Sequence, residues 1–153
     1  MNILITGACG HIGSYLVHNL YKIKKIKKAI LVDNINANQF SSLFNLNKKN
    51  KVDFFRRDLN NKNILNEFKN IDIVIHLASM TNAANSFGLE KEMFNNNLNC
   101  LNTVIKFCEK SKARLLHIST TSVYGKQTSL VDETCPKKYL KPLLKCILII
   151  IQS

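Results

Sequence analysis

Gly7, Gly10 and Gly13 in "ITGACGHIG" recur at intervals of three between an apolar run and a stretch with helical spacing. Glycines in that setting let a backbone turn tightly and come close to a pyrophosphate, which then sits at the positive end of the helix that follows. A side chain at those positions would block the approach. Asp33 ends the next apolar run, 20 residues after Gly13. A carboxylate there can accept hydrogen bonds from ribose hydroxyls and would repel a 2′-phosphate, so the pattern favours NAD over NADP. Set apart from that context, Asp33 would be a turn residue before Asn34.

Further along, "HISTTSVYG" gathers the hydroxyls of Ser119, Thr120, Thr121, Ser122 and Tyr124. Taken alone, such residues are more often turn and cap formers than reacting groups. The five cysteines, Cys9, Cys100, Cys108, Cys135 and Cys146, form no C-x-x-C pair and are odd in number. That excludes a zinc site and a disulfide framework by pattern, and no metal is expected.

The elements that must position these residues alternate along the chain. Apolar runs at 3–6, 29–32, 52–55, 71–76 and 115–118 read as buried parallel strands. Ile12, Leu16, Leu20 and Ile23 are spaced as one face of a first helix. Residues 63–68 suggest a short helix, and Leu98, Leu101, Ile105 and Cys108 mark one face of a longer one over 89–110. Residues 34–51, rich in asparagine, predict a loop holding a short helical turn. This alternation predicts an α/β fold, a Rossmann-like doubly wound parallel sheet, incomplete at about five strands.

With 153 residues there is room for one domain. The formal net charge is +12, and basic chains bind phosphate polyanions. The lysines, however, are spread over "YKIKKIKK", "NKKNK" and "PKKYLKPLLK" without interleaved aromatic residues, so no specific nucleic acid partner is expected. The first strand starts at Asn2 with no signal peptide before it, and "CILIII" is far shorter than a bilayer span. A cytoplasmic protein with no membrane partner is the expectation.

Six motifs in order give the chain a resemblance to the NAD-dependent epimerase/dehydratase family, the extended short-chain dehydrogenases/reductases. Gly-x-x-Gly-x-x-Gly is followed by Asp33, then by "RRDLNN", "VIHLAS", "NNNLNCLNTVIKFC" and "HISTTSVYG". The resemblance implies NAD as cofactor and a nucleotide sugar as substrate of an intact member, with a homodimer as a possible assembly. It implies cofactor contacts at Gly7, Gly10, His11, Ile12 and Gly13, and at Asp33 and Asn34. Asp58 would bond the adenine amino group and Leu59 would pack on the ring. The Leu77–Ala78 backbone would lie along the cofactor, and Asn97 matches the first position of the family's Asn-Val-x-Gly-Thr helix, where Cys100 and Leu101 replace Gly-Thr. Thr120 takes the Ser/Thr catalytic role, four residues before Tyr124.

The family's Tyr-x-x-x-Lys is expected two dozen or so residues further on, but "LLKCILIIIQS" stands in its place. Tyr139 has Leu143 four residues on, Lys141 is only two on, and Pro142 would break a helix there. Tyr21-x-x-x-Lys25 matches only by spelling, at the far end of the first helix. The expectation is a dinucleotide-binding portion over 1–142, a divergent apolar tail over 143–153, and no C-terminal substrate domain, as after a frameshift or premature stop. The tail would pair as a strand, cover core, or form an aggregation-prone edge. Such a chain would be inactive alone; the alternative is a stand-alone NAD-responsive or protein-binding module without catalysis.

Overall fold

Strands form where the apolar runs lie, and all of them pair in parallel. In the computed structural model, which describes residues 1–36, 39–81 and 88–118, they are β1 (Asn2–Thr6), β2 (Lys28–Asp33), β3 (Val52–Arg56), β4 (Ile73–His76) and β5 (Arg114–His117). The sheet order is β3-β2-β1-β4-β5. Register runs Thr6 beside Val32 and His76, and His76 beside His117. All five strands therefore end along one edge.

Helices pack on both faces, as a parallel sheet requires. Helix α1 (His11–Asn19) covers Ile3, Ile5, Ala29 and Leu31 with Val17 and Leu20. On the opposite face, α2 (Glu90–Ser111) lays Cys100, Val104, Phe107 and Cys108 over Leu4, Val32, Val74 and Leu115. Full burial of residues such as Leu4, Ile5, Val17, Val74 and Val104 contributes about 1.5–3 kcal/mol each.

Both helices turn inward only part of the face their hydropathy suggests: Leu16 and Leu20, and Leu101, Ile105 and Cys108, pack on the core, whereas Ile12, Ile23 and Leu98 are exposed. In α1 the buried residues are Gly13 and Val17, with Leu20 just beyond, while Ile12 is 56% exposed. The reason is the close approach of α1 to the glycine turn: a Cβ on Gly13 would lie 2.2 Å from Gly7 O, so backbone fills the space that a side chain would need. The helix also stops at Asn19, and a 3₁₀ turn (Leu20–Lys22) leaves Ile23 exposed. In α2, Leu98 is exposed and Leu101 and Ile105 are half-buried, because Val104 and Phe107 face the sheet.

No helix forms over 63–68. Asn63 takes φ +64°, and bonds of the i to i+3 kind (Asn66 N to Asn63 O, Phe68 N to Leu65 O) make consecutive turns instead. These turns still deliver Leu65 and Phe68 to the core. In the asparagine-rich loop a 3₁₀ turn (Phe40–Leu43) forms, as expected there. Among the described residues no helix is long and apolar enough to cross a membrane.

Candidate functional site

The residues with chemical potential converge on the carboxyl edge of the sheet. The glycine turn leaves β1 and is held by backbone: Gly7 N and Ala8 N donate to Val32 O at 2.9 and 3.4 Å, and Gly10 N to Gly7 O at 3.2 Å. Gly7 has φ +71°, a conformation that disfavours any side chain. A Cβ there would also meet Ala78 N at 2.6 Å and Leu77 C at 2.7 Å. Glycine at this position thus lets the turn after β1 touch the segment after β4.

Gly10 is the N-cap of α1, and no side chain caps that helix. Among the described residues no acceptor meets the N–H groups of His11, Ile12 or Gly13, whereas Ser14 N reaches Gly10 O at 2.8 Å. Unfilled donors and the positive end of the helix dipole suit an anion. His11 and Ile12 are exposed at this first turn.

Asp33 closes the other side. Its carboxylate accepts from Cys9 N at 2.9 Å and from Ile35 N at 2.8 Å, which ties the end of β2 to the glycine turn. The turn is braced from outside as well, where the Ser42 hydroxyl donates to Cys9 O at 2.9 Å. Burial, and secondarily Asp33, push the Cys9 thiol up to about 12, so it stays protonated and unreactive. Asn34 turns its side chain to its own chain, accepting from Asn36 N at 3.0 Å.

Asp58 follows β3 and caps a turn, accepting from Asn60 N and Nδ2 at 2.9 and 3.1 Å. The Leu59 side chain is 4% exposed and sits in the core beside Leu65 and Phe68, so packing on a ring would fall to the surface above it. After β4, Leu77 N donates to Thr6 O at 3.0 Å, and Ala78 N reaches the Thr6 hydroxyl at 3.5 Å. Asn97 spends its amide on this segment: Oδ1 accepts from Met80 N at 2.7 Å and Nδ2 donates to Met80 O at 3.2 Å. Replacing Asn97 by leucine should cost about 1–3 kcal/mol, since both Met80 groups lose their partner. Asn97→Asp should recover the half owed to the Met80 N–H. A thermal melt of the two variants checks this. Thr120, Tyr124 and the tail from 143 lie outside the described residues.

A buried polar row under the edge is not visible in the sequence pattern. Thr6 Oγ1 and His76 Nδ1 are 2.7 Å apart, and the His76 and His117 rings stack with centroids 5.2 Å apart. His76 is 2% exposed, and burial, then the neighbouring His117, lower its pKa to about 4. A neutral imidazole can accept the Thr6 proton at Nδ1, and an imidazolium cannot. The only sequence sign is a polar residue ending each of three apolar strands.

A hollow formed by described residues does not coincide with this site. It lies at the opposite, amino end of the sheet, about 570 Å³, between Asn2, Asn70, Asp72, Lys112 and Arg114. It is shallow, and nothing there joins donors as the glycine turn does.

A five-stranded parallel sheet in this order, covered on both faces, with a glycine turn at its carboxyl edge and an acid ending the second strand, defines the Rossmann-like class. The chain belongs to the NAD dependent epimerase/dehydratase family, whose pattern matches residues 3–144. It is 30% identical over 148 residues to the uncharacterized UDP-glucose epimerase YtcB of Bacillus subtilis, covering 93% of this chain and 47% of that protein. It is 33% identical over 128 residues to the dTDP-D-glucose 4,6-dehydratase of Dictyostelium discoideum, covering 80% of this chain and 30% of that one. Among solved structures, UDP-glucuronic acid 4-epimerase from Bacillus cereus in complex with NAD superposes with a TM-score of 0.70 at 29% identity, over 87% of this chain and 44% of that chain. The dTDP-glucose 4,6-dehydratase DesIV from Streptomyces venezuelae reaches 0.77 at 24% identity, a likeness of fold. The chain thus spans less than half the length of these relatives and is homologous to the NAD-binding portion of sugar-nucleotide epimerases and dehydratases.

Proposed function

We propose that this chain binds NAD at the carboxyl edge of its sheet and does not turn over a nucleotide sugar by itself. The observation that carries the reading is the first turn of α1, with glycine as N-cap, no capping side chain, and Asp33 tied to the same turn. Those features fit the group: the pyrophosphate would lie over Gly10, His11, Ile12 and Gly13, and the adenosine ribose beside Asp33 and Asn34. Asp58 and the backbone at Leu59 would border the adenine, and Leu77 and Ala78 the remainder of the cofactor. Asn97 would act by holding the segment that contains Leu77 and Ala78. NAD, when bound in such a family, supplies a hydride acceptor for a sugar carbon.

Thr120 would position the sugar hydroxyl in that scheme. The sequence offers no Tyr-x-x-x-Lys where the family's base is expected. Losing a general base commonly costs 10²–10⁴-fold. The unit that does the binding is residues 1–142, in a cytoplasmic protein. The stand-alone module reading makes the same binding its whole function, and the absent base pair is what favours keeping it in view.

Thermal melts with NAD and with NADP test the proposal. A ligand at 100 times its Kd stabilises by about 2.7 kcal/mol. The midpoint should rise with NAD and much less with NADP, because Asp33 repels a 2′-phosphate. No rise at millimolar NAD overturns the binding, and measurable epimerase or dehydratase turnover overturns the inactivity.

A further inference from the structure

The strand ends at the candidate NAD site carry a cation opposite Asp33. β2 and β3 run in parallel with Asp33 beside Arg56. Leu31 and Phe54, two residues earlier on each strand, both pack on the α1 side of the sheet, so Asp33 and Arg56 leave that same face. Neighbouring strands lie about 4.8 Å apart. Arg56 is exposed and reaches back over β2, where its Nε donates to Asn34 O at 3.3 Å. Among the described residues no carboxylate pairs with it and no acceptor meets its Nη1 or Nη2.

The other charged groups nearby are engaged. Arg57 lies over the Phe55 ring, 5.6 Å from its centroid, and donates to both oxygens of Glu67 at 2.7 and 3.2 Å. Asp58 accepts from Asn60. The Asp33 carboxylate is fixed in place by accepting from Cys9 N and Ile35 N, one on each oxygen. If the adenosine ribose lies beside Asp33 and Asn34, a phosphate on its 2′-oxygen meets two opposed groups. The carboxylate repels it. The open edge of a guanidinium matches a phosphate in charge and in shape, with two parallel donors.

We propose that Arg56 sets how strictly the site rejects a 2′-phosphate, offering that group a two-pronged clamp that offsets part of the repulsion from Asp33. The inference rests on the NAD-binding reading and deepens it: the chain carries a latent NADP site, held off by one carboxylate. NAD brings no charge to that point and draws little from Arg56.

Calorimetric titration of the full chain with NAD, NADP and adenosine 2′,5′-bisphosphate at low salt tests this. Arg56→Ala should weaken NADP and the bisphosphate on the order of 10-fold, the effect of losing hydrogen bonds to a charged group, and leave NAD nearly unchanged. Arg56→Lys, which keeps the charge without the fork, should recover part of the loss. Arg57→Ala removes the same charge from a side chain turned to Glu67 and should leave the NADP-to-NAD affinity ratio as it was. Asp33→Asn should raise that ratio on the order of 10-fold by removing a like charge, and adding Arg56→Ala should cancel the gain. A ratio taken within one variant is independent of the fraction folded, so the bond that Asp33→Asn takes from the glycine turn does not enter. NAD binding with an unchanged ratio in Arg56→Ala overturns this inference alone, as does an equal change in Arg56→Ala and Arg57→Ala. No NAD binding by the unaltered chain overturns the NAD-binding reading and this inference with it.

Discussion

Gly13→Ala should destabilise the protein on the order of 3 kcal/mol, the upper end of the range for a side chain forced into filled space. A Cβ at Gly13 would lie 2.2 Å from Gly7 O and 2.9 Å from Ala8 Cα. Both are backbone atoms, so no rotamer change relieves the overlap; the helix or the turn must move. Moving α1 would unseat Val17 and Leu20 from Ile3, Ile5 and Leu31. Gly7→Ala should be comparably severe, because it adds a left-handed φ of +71° to contacts of 2.6–2.8 Å with Leu77 and Ala78. Gly10→Ala provides the contrast: its Cβ would meet only Gly7 O, at 3.3 Å. That variant should fold with a midpoint close to the parent and lose NAD-induced stabilisation, since the methyl stands where the pyrophosphate would approach. For a chain of this size the first two changes should lower the thermal midpoint by about 10 °C. Urea unfolding of all three variants checks the series. A Gly13→Ala protein as stable as Gly10→Ala would mean that the helix does not pack against the turn as closely as described.

The contrast among these glycines also shows what could be read from sequence. Spacing alone located the turn, because Gly7, Gly10 and Gly13 fall between an apolar run and a helical one. It did not separate a glycine needed for folding from one needed for a ligand, since that depends on which backbone lies opposite. The sheet was legible strand by strand, as five apolar runs each became a parallel strand within two residues of their expected ends. Helix faces were less so. Hydropathy gives no weight to Gly13, and the inward face of α1 is set by that close approach rather than by Ile12 or Ile23. Residues 63–68 show the same limit in another form. Apolar spacing there reflected the core positions of Leu65 and Phe68, while asparagines at 61, 63 and 66 favoured turns over a helix.

Polar pairing across the sheet was the least legible part. Thr6, His76 and His117 belong to strands separated by 70 residues and 41 residues in the chain, and only register brings them into one row. The same holds for Asn97 and Met80, whose mutual bonds join α2 to the segment after β4. The two lysine-rich runs, at 22–28 and 48–51, are a third instance. Each run reads locally as a solvated loop, and only the parallel start of β2 and β3 sets them side by side.

That buried row carries the strongest expected dependence on pH. Burial and the adjacent His117 hold the His76 imidazole at about 4 against an ordinary 6.5, and His117 is lowered as well, chiefly by its own burial. A base whose folded pKa is depressed stays neutral in the folded state while the unfolded chain takes up a proton. Stability is therefore complete above pH 6.5, falls as pH drops from 6.5 toward 4, and is not lost further through this group below that. The His76 contribution across the window is about 3 kcal/mol. The Arg57–Glu67 pair acts in a different range: its hydrogen bond lowers the Glu67 pKa from 4.5, so its effect disappears only at pH below that, and both groups are exposed. Urea titrations at pH 7 and pH 5 isolate the histidine effect, and the imidazole signals in NMR assign it. His76 should titrate near 4 and His117 below 6.5. His117→Phe keeps a ring against His76 while removing the second charge, so the acid loss should shrink and the His76 midpoint should rise. A His76 midpoint at 6.5, or a stability unchanged between pH 7 and 4.5, would sink the argument. The physical point is local. Protonating His76 leaves Nδ1 able only to donate to the Thr6 hydroxyl oxygen and puts a buried charge beside it, and Thr6 is the residue from which the glycine turn begins and to which Leu77 and Ala78 are bonded. Acid should therefore loosen the candidate NAD site as pH approaches 4, where the folded His76 takes up its proton, and the NAD-induced rise in midpoint should persist at pH 6.5 to 5 and fade toward pH 4.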